Sequence, residues 1–480
     1  MTVTAYLKGP VNADGTRHTL WPAGDMPYEP VEIIAPYDGL ANPSRNRYFV
    51  NYTGLEYKVP VIVYGGRLPF AFTLPTKPTN MTIDATTGVI TWPGADVTAG
   101  THNVTCTVTD AVGNTDSVSW TITVGTSGHY FIDASVGASG TGTLASPFKA
   151  WSDITTGTAN GMLWVRAGTY DLTGLVSSGV ATWTSKARIL QAYPGDAQPI
   201  LDMTLGRLYF GTSPSFWAGG IKFDNLLYES PGLASSQAIL IESNAGDFNV
   251  YNCTFNNNGG KASAGETPAP IYISDGGANG YRWSVTNCTF TNLTGEAYGF
   301  LGYRTFKAVI SNNTMTGFQS GSIPVGAKVH CGQWCVRQNT LNNTAGKGIW
   351  LYGFPLTGGF VTDLFFIEHN NIKQTSDQAV HMGEDSNMIF GRIVIRRNTI
   401  HGGCGVYIDG MVSGQGPIWM ADNILQFSSI TFNSPSTPTG DFRGTGDIYT
   451  VSGDGTIDSS GDLTTAFQNL RGRFGYQMAS

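Results

Sequence analysis

A short pattern of apolar and polar positions recurs along residues 221–432: an apolar residue, two variable ones, a small polar residue, one more, then a second apolar residue. It runs through Ile221-Lys-Phe-Asp224-Asn-Leu226, Val250-Tyr-Asn-Cys253-Thr-Phe255, Val285-Thr-Asn-Cys288-Thr-Phe290 and Ile310-Ser-Asn-Asn313-Thr-Met315. It continues through Val336-Arg-Gln-Asn339-Thr-Leu341, Ile367-Glu-His-Asn370-Asn-Ile372, Ile395-Arg-Arg-Asn398-Thr-Ile400 and Met420-Ala-Asp-Asn423-Ile-Leu425. Successive copies lie 29, 35, 25, 26, 31, 28 and 25 residues apart. A period of this size predicts a solenoid of stacked coils, because one coil alone cannot bury its apolar side.

Each copy is followed by a second apolar pair at i and i+2: Ile239/Ile241, Ile271/Ile273, Tyr298/Phe300, Ile323/Val325, Ile349/Leu351, Val380/Met382, Val406/Ile408 and Ile430/Phe432. That spacing marks one buried strand face, and no helical period accompanies it. Three short strands per coil predict an all-β fold, a right-handed parallel β-helix rising about 4.8 Å per coil. The fourth motif position reads Asp224, Cys253, Cys288, then Asn313, Asn339, Asn370, Asn398 and Asn423. Asparagines stacked at one turn can bond each other as an amide ladder, satisfying polar groups that the turn buries. The same turns account for N-x-Thr sequons such as Asn252, Asn287 and Asn312, which therefore do not predict glycosylation.

Upstream, residues 49–125 alternate as short strands, with Val104, Cys106 and Val108, then Val118, Trp120 and Ile122, facing inward. The segments Tyr64-Gly-Gly-Arg-Leu-Pro-Phe, Met81-Thr-Ile-Asp-Ala-Thr-Thr-Gly-Val-Ile-Thr-Trp92, Gly100-Thr-His-Asn-Val and Val108-Thr-Asp-Ala-Val-Gly-Asn resemble immunoglobulin-like (cadherin-like) modules of surface and phage proteins. The resemblance implies a β-sandwich acting as a spacer or an adhesive domain. Asp84, Asp96 and Asp110 are either calcium ligands or solvated loop residues. After a linker at 125–128 come Ser146-Pro-Phe-Lys, beyond a Gly-rich loop, and Ala167-Gly-Thr-Tyr170. This opening, with the coils, resembles the pectate-lyase-like β-helix superfamily over residues 129–432. That superfamily holds lyases, hydrolases, epimerases and non-catalytic binders, so it implies a fold and leaves the reaction open. The expected division is an arm or first sandwich strands at 1–48, the module at 49–125, the β-helix at 129–435 and a cap at 436–480. A short helix is expected at 462–474.

Of the 480 residues 13% are charged, 62 are glycine and 12% aromatic, which suits a turn-rich β protein. A net charge of −7 argues against a nucleic-acid partner. Six cysteines form no metal signature. Cys253 and Cys288, neighbours in the ladder column, are expected as buried thiols rather than a disulfide. No apolar run is long enough for a membrane span. The segment Met1-Thr-Val-Thr-Ala-Tyr-Leu-Lys8 has no signal-peptide core. The expected location is extracellular or virion-associated, reached after removal of a leader or by assembly into a phage tail. Monomer and homotrimer both remain open.

Outward positions of the second apolar pair align Tyr272, Gly299, Pro324, Trp350, His381 and Tyr407 in one column, and Ser274, Leu301, Gly326, Tyr352, Gly383 and Asp409 in the next. Trp350, Tyr352 and Tyr407 offer flat faces for sugar rings. His381, Glu384, Asp385 and Asp409 offer proton-transfer groups. Tyr303, Arg304, Lys328 and His330 flank them as substrate-binding candidates. A polysaccharide is the expected substrate. Hydrolysis would use Glu384 or Asp385 with Asp409, at about 6.5–9.5 Å for inversion or about 5–5.5 Å for retention. Elimination on a uronate would use His381 or Lys328 as base and Tyr352 as acid. Arg304, His330 or a calcium ion on Glu384, Asp385 and Asp409 would then neutralise the carboxylate. Hydrolysis is slightly preferred and requires no cofactor. The rival from another class is a glycan-binding adhesin or tail-fibre module that does not cut.

Overall fold

The computed structural model describes residues 46–154 without a break, the strands and short turns of the repeat between 161 and 451, and residues 3–6, 29–37 and 477–478. Three long sheets carry the repeat, with twelve, thirteen and eleven strands, and neighbouring coils pair in parallel. One coil shows the plan. Trp283–Thr286 lies in the twelve-stranded sheet, Thr289–Thr291 in the thirteen-stranded sheet and Tyr298–Tyr303 in the eleven-stranded sheet. This is the predicted parallel β-helix.

The corner between the first two sheets is a single left-handed residue: Asn252, Asn287, Asn312, Gln338, His369 and Arg397 all have φ of 52–56°. Asparagine tolerates that region best. The next residue starts the ladder. Asn339 Nδ2 donates to Asn370 Oδ1 at 3.0 Å and to Ile310 O at 2.9 Å, and the Asn339 N–H donates to the same Oδ1 at 3.0 Å. Asn313, Asn370 and Asn398 repeat this geometry up to Asn423. Cys253 and Cys288 are buried free thiols in the same column.

Asp224 is not in the ladder. Phe223 pairs with Phe255, and their rings stack at 5.0 Å, which puts Ile221 opposite Cys253. Asp224 lies outside the core opposite Asn256, whose Nδ2 donates to it at 2.9 Å. The stacking ring, larger than the polar position, sets the register.

The first coil is built as its motif suggests. Strands His129–Ile132 and Met162–Val165 pair in parallel, Phe148, Trp151 and Ile154 close the core, and the Tyr170 hydroxyl donates to Arg166 O at 3.0 Å. Beyond 435, strands Phe442–Thr445 and Ile448–Val451 still join the sheets, so the parallel pairing runs on past the expected end of the β-helix. Val3–Tyr6 pairs antiparallel with the last of them. The helix expected at 462–474 lies outside the described residues.

In the N-terminal module, Gly100–Thr109 and Thr115–Gly125 form the central hairpin of a four-stranded sheet. All six predicted inward residues are buried. The module packs sideways onto the β-helix. The twelve-stranded sheet is apolar on both faces: Phe365 and Ile367 point to the core while Phe366 faces the module, and Val394 between Ile393 and Ile395 repeats the arrangement. Unbroken apolar runs of this kind mark strands covered on both sides. A charged row crosses the same contact. Glu368 sits between Arg337 (3.5 Å) and Arg396 (Nε at 2.6 Å), and Arg337 also donates to Val63 O and Gly65 O at 3.2 Å.

Candidate active site

The outer face of the eleven-stranded sheet carries an aromatic strip. Strand pairing places Trp350, His381 and Tyr407 opposite one another on three adjacent coils, as the sequence columns predict. The pairing corrects two other coils. Tyr272 faces Leu301 and then Gly326, not Gly299 and Pro324, and Ser274 leads to Tyr303, Lys328 and Tyr352. The slip is two residues, and an even slip keeps every side chain on its own face, so alternation alone does not reveal it. The correction brings the candidates Tyr303, Lys328 and Tyr352 into one column.

Trp350 is not an open platform. It is 7% exposed, stacks on Tyr298 at 6.0 Å, meets Tyr352 edge-on at 5.1 Å and donates from Nε1 to Gly383 O at 3.1 Å. Lys347 Nζ lies 4.2 Å from its ring centroid, a cation–π contact. Gly326 makes the stack possible, since a Cβ there would come within 2.5 Å of the Tyr298 ring. Tyr352 and Tyr407 are only half-buried and are the rings a ligand can reach. Tyr298 and Lys347 were missed by sequence reasoning, Tyr298 because it reads as an inward apolar position.

His381 is 5% exposed, with its ring 5.0 Å from Tyr407 and 6.3 Å from Trp350. Among the described residues neither ring nitrogen has a hydrogen-bond partner. Burial, then the nearby Lys347 charge, pushes its pKa down to about 3. The imidazole is therefore neutral at neutral pH, a poor proton donor but able to hydrogen-bond a hydroxyl.

The connections beside this strip are long. Only 304–305 and 329–331 follow the strands ending at Tyr303 and Lys328, whereas 353–362, 383–392 and 410–417 follow those ending at Tyr352, Met382 and Asp409. Glu384, Asp385, Arg304 and His330 lie outside the described residues. Asp409 pairs with Asn433 two positions beyond Tyr407. No cluster of three His, Cys, Asp or Glu suited to a metal occurs among the described residues. In the module, the Asp110 carboxylate is occupied by the N–H groups of Arg67, Val112 and Asn114.

Residues 40–125 match a family model described as Putative Ig domain. The N-terminal module is Ig-like. No curated protein matches the chain significantly in sequence. Among solved structures, the chain is similar to the periplasmic alginate epimerase AlgG, at 13% identity over 57% of this chain and 74% of that one, with a TM-score of 0.34. It is also similar to a family 28 exopolygalacturonase from Yersinia enterocolitica, at 9% identity over 87% of this chain and 98% of that one, with a TM-score of 0.34. No helix among the described residues is long and apolar enough to cross a membrane.

Proposed function

We propose that the chain is an extracellular or virion-associated glycan depolymerase that holds a polysaccharide along the eleven-stranded sheet. The observation that carries this reading is the in-register strip of Trp350, His381 and Tyr407 beside three long connections. Tyr352 and Tyr407 stack on sugar rings, and the neutral His381 binds a hydroxyl. Glu384 or Asp385 acts with Asp409 as the hydrolytic pair, one donating a proton to the leaving oxygen and the other activating water or attacking.

One observation favours a second chemistry. Lys328 and Tyr352 are direct strand partners, with Tyr303 next in the column. On a uronate polymer, Lys328 would take the C5 proton and Tyr352 would protonate the leaving oxygen.

Incubation with neutral and uronate polysaccharides separates the readings. New reducing ends alone indicate hydrolysis; reducing ends with absorbance from an unsaturated product indicate elimination. Under hydrolysis, Glu384→Gln, Asp385→Asn or Asp409→Asn lowers turnover by about 100-fold or more. Binding without either product sinks the enzyme reading and leaves an adhesin.

A further inference from the structure

Where the Ig-like domain meets the β-helix, the two enclose a groove on the side away from the aromatic strip. One segment is a cavity of about 340 Å³ and the next is a cavity of about 320 Å³. Tyr251 and Asn287 line both, which makes them parts of one groove. The domain supplies an apolar wall from Leu68, Pro69, Phe70 and Phe72. The solenoid supplies an amide wall from Asn252, Asn287, Asn312 and Gln338. These are the left-handed corner residues, exposed and stacked coil upon coil. Their spacing is therefore the coil rise of about 4.8 Å, close to the advance of one pyranose along a glycan chain.

A ligand for this groove needs apolar faces on one side and a regular series of hydroxyls on the other. Each primary amide both donates and accepts, as a sugar hydroxyl does. Among the described residues lining the larger cavity, Arg337 is the one that is charged at neutral pH, and it is already engaged by Glu368 and two backbone carbonyls. Among the described residues there, no free charge selects a charged sugar. In the smaller cavity the lining holds both signs, Arg47 and Lys58 with Glu56 and Asp196. We propose that this groove is a second carbohydrate site, which takes a neutral oligosaccharide with its ring faces on Phe70 and Tyr251 and its hydroxyls on the amide column. The Ig-like domain is then one wall of a binding site rather than a tether. None of these residues belongs to the aromatic strip, so the site stands whether or not the chain cuts glycans.

The test is calorimetric titration of the full chain with neutral hexasaccharides of glucose and of mannose, and with hexagalacturonate as the charged probe. Asn287→Gly combined with Asn312→Gly removes two amides, and glycine keeps the left-handed corners unstrained. The expected result is binding of a neutral hexasaccharide, weakened tenfold or more in the double variant with melting temperature unchanged, and weakened likewise in Phe70→Ala. Tyr352→Ala tells the two sites apart and should leave the groove affinity in place. The proposal is overturned if no neutral hexasaccharide binds, if only hexagalacturonate binds, if both groove variants bind like the parent, or if Tyr352→Ala alone abolishes binding.

Discussion

His381 shows how much one residue's chemistry depends on its cover. Its place beside Trp350 and Tyr407 is legible in the sequence, because all three follow the first apolar residue of their strands. Its burial is not legible, since that depends on the Tyr298–Trp350 stack, the Trp350 bond to Gly383 and the half-buried Tyr407. The consequence is measurable. In the folded chain His381 takes up its proton only near pH 3, whereas an unfolded histidine does so near pH 6.5. Between those values the unfolded state binds more protons, so stability falls as pH drops through the window. His129, with a pKa lowered by burial to about 4, acts in the same direction. His381→Phe keeps a ring of similar size and removes one contribution. Its urea midpoint should change less between pH 7 and pH 4 than that of the parent; an identical pH dependence would show that His381 is not held neutral.

At the scale of the element, the amide ladder was almost fully readable, because a buried polar column leaves few chemical options. Five asparagines predicted for it are in it, and the one miss, Asp224, came from a coil whose register is set by stacked phenylalanines. The eleven-stranded sheet was less readable. Its period-two pattern is insensitive to even slips, so Gly299 and Pro324 stood where Leu301 and Gly326 belong. The ladder predicts an asymmetry between adjacent residues. Asn370→Ala leaves the buried Asn339 N–H without its acceptor and should cost about 1–3 kcal/mol per stranded group. Arg397→Gly, at an exposed left-handed corner, should cost little. Urea unfolding of the two variants checks this, and equal losses would mean that the ladder does not carry the corner.

For the whole molecule, the cover on the twelve-stranded sheet went unread: runs such as Phe365-Phe366-Ile367 and Ile393-Val394-Ile395 are apolar on both faces, but nothing in them says what lies against the outer one. Contacts between distant segments, such as Arg337 with Val63 and Gly65, leave no local pattern in the chain. The resemblance implied a spacer or an adhesive domain; the structure adds that the domain is docked along the sheet. Removing residues 1–125 would bare Trp164, Trp217, Val309, Phe366 and Val394. The remaining β-helix should aggregate or bind a hydrophobic dye strongly. A soluble, monomeric truncation with the parent's melting temperature would show the contact to be dispensable.

The lateral contact also changes how the molecule bears load. Stacked coils ordinarily peel from an end, one at a time, since each holds only its neighbours. Here the domain's core is continuous with residues from Phe131 in the first strand of the sheet to Val394 in the tenth. A pull along the axis cannot lengthen the stack coil by coil without shearing that contact. The domain thus works as a splint, and the buried Glu368 between two arginines is one of its pins.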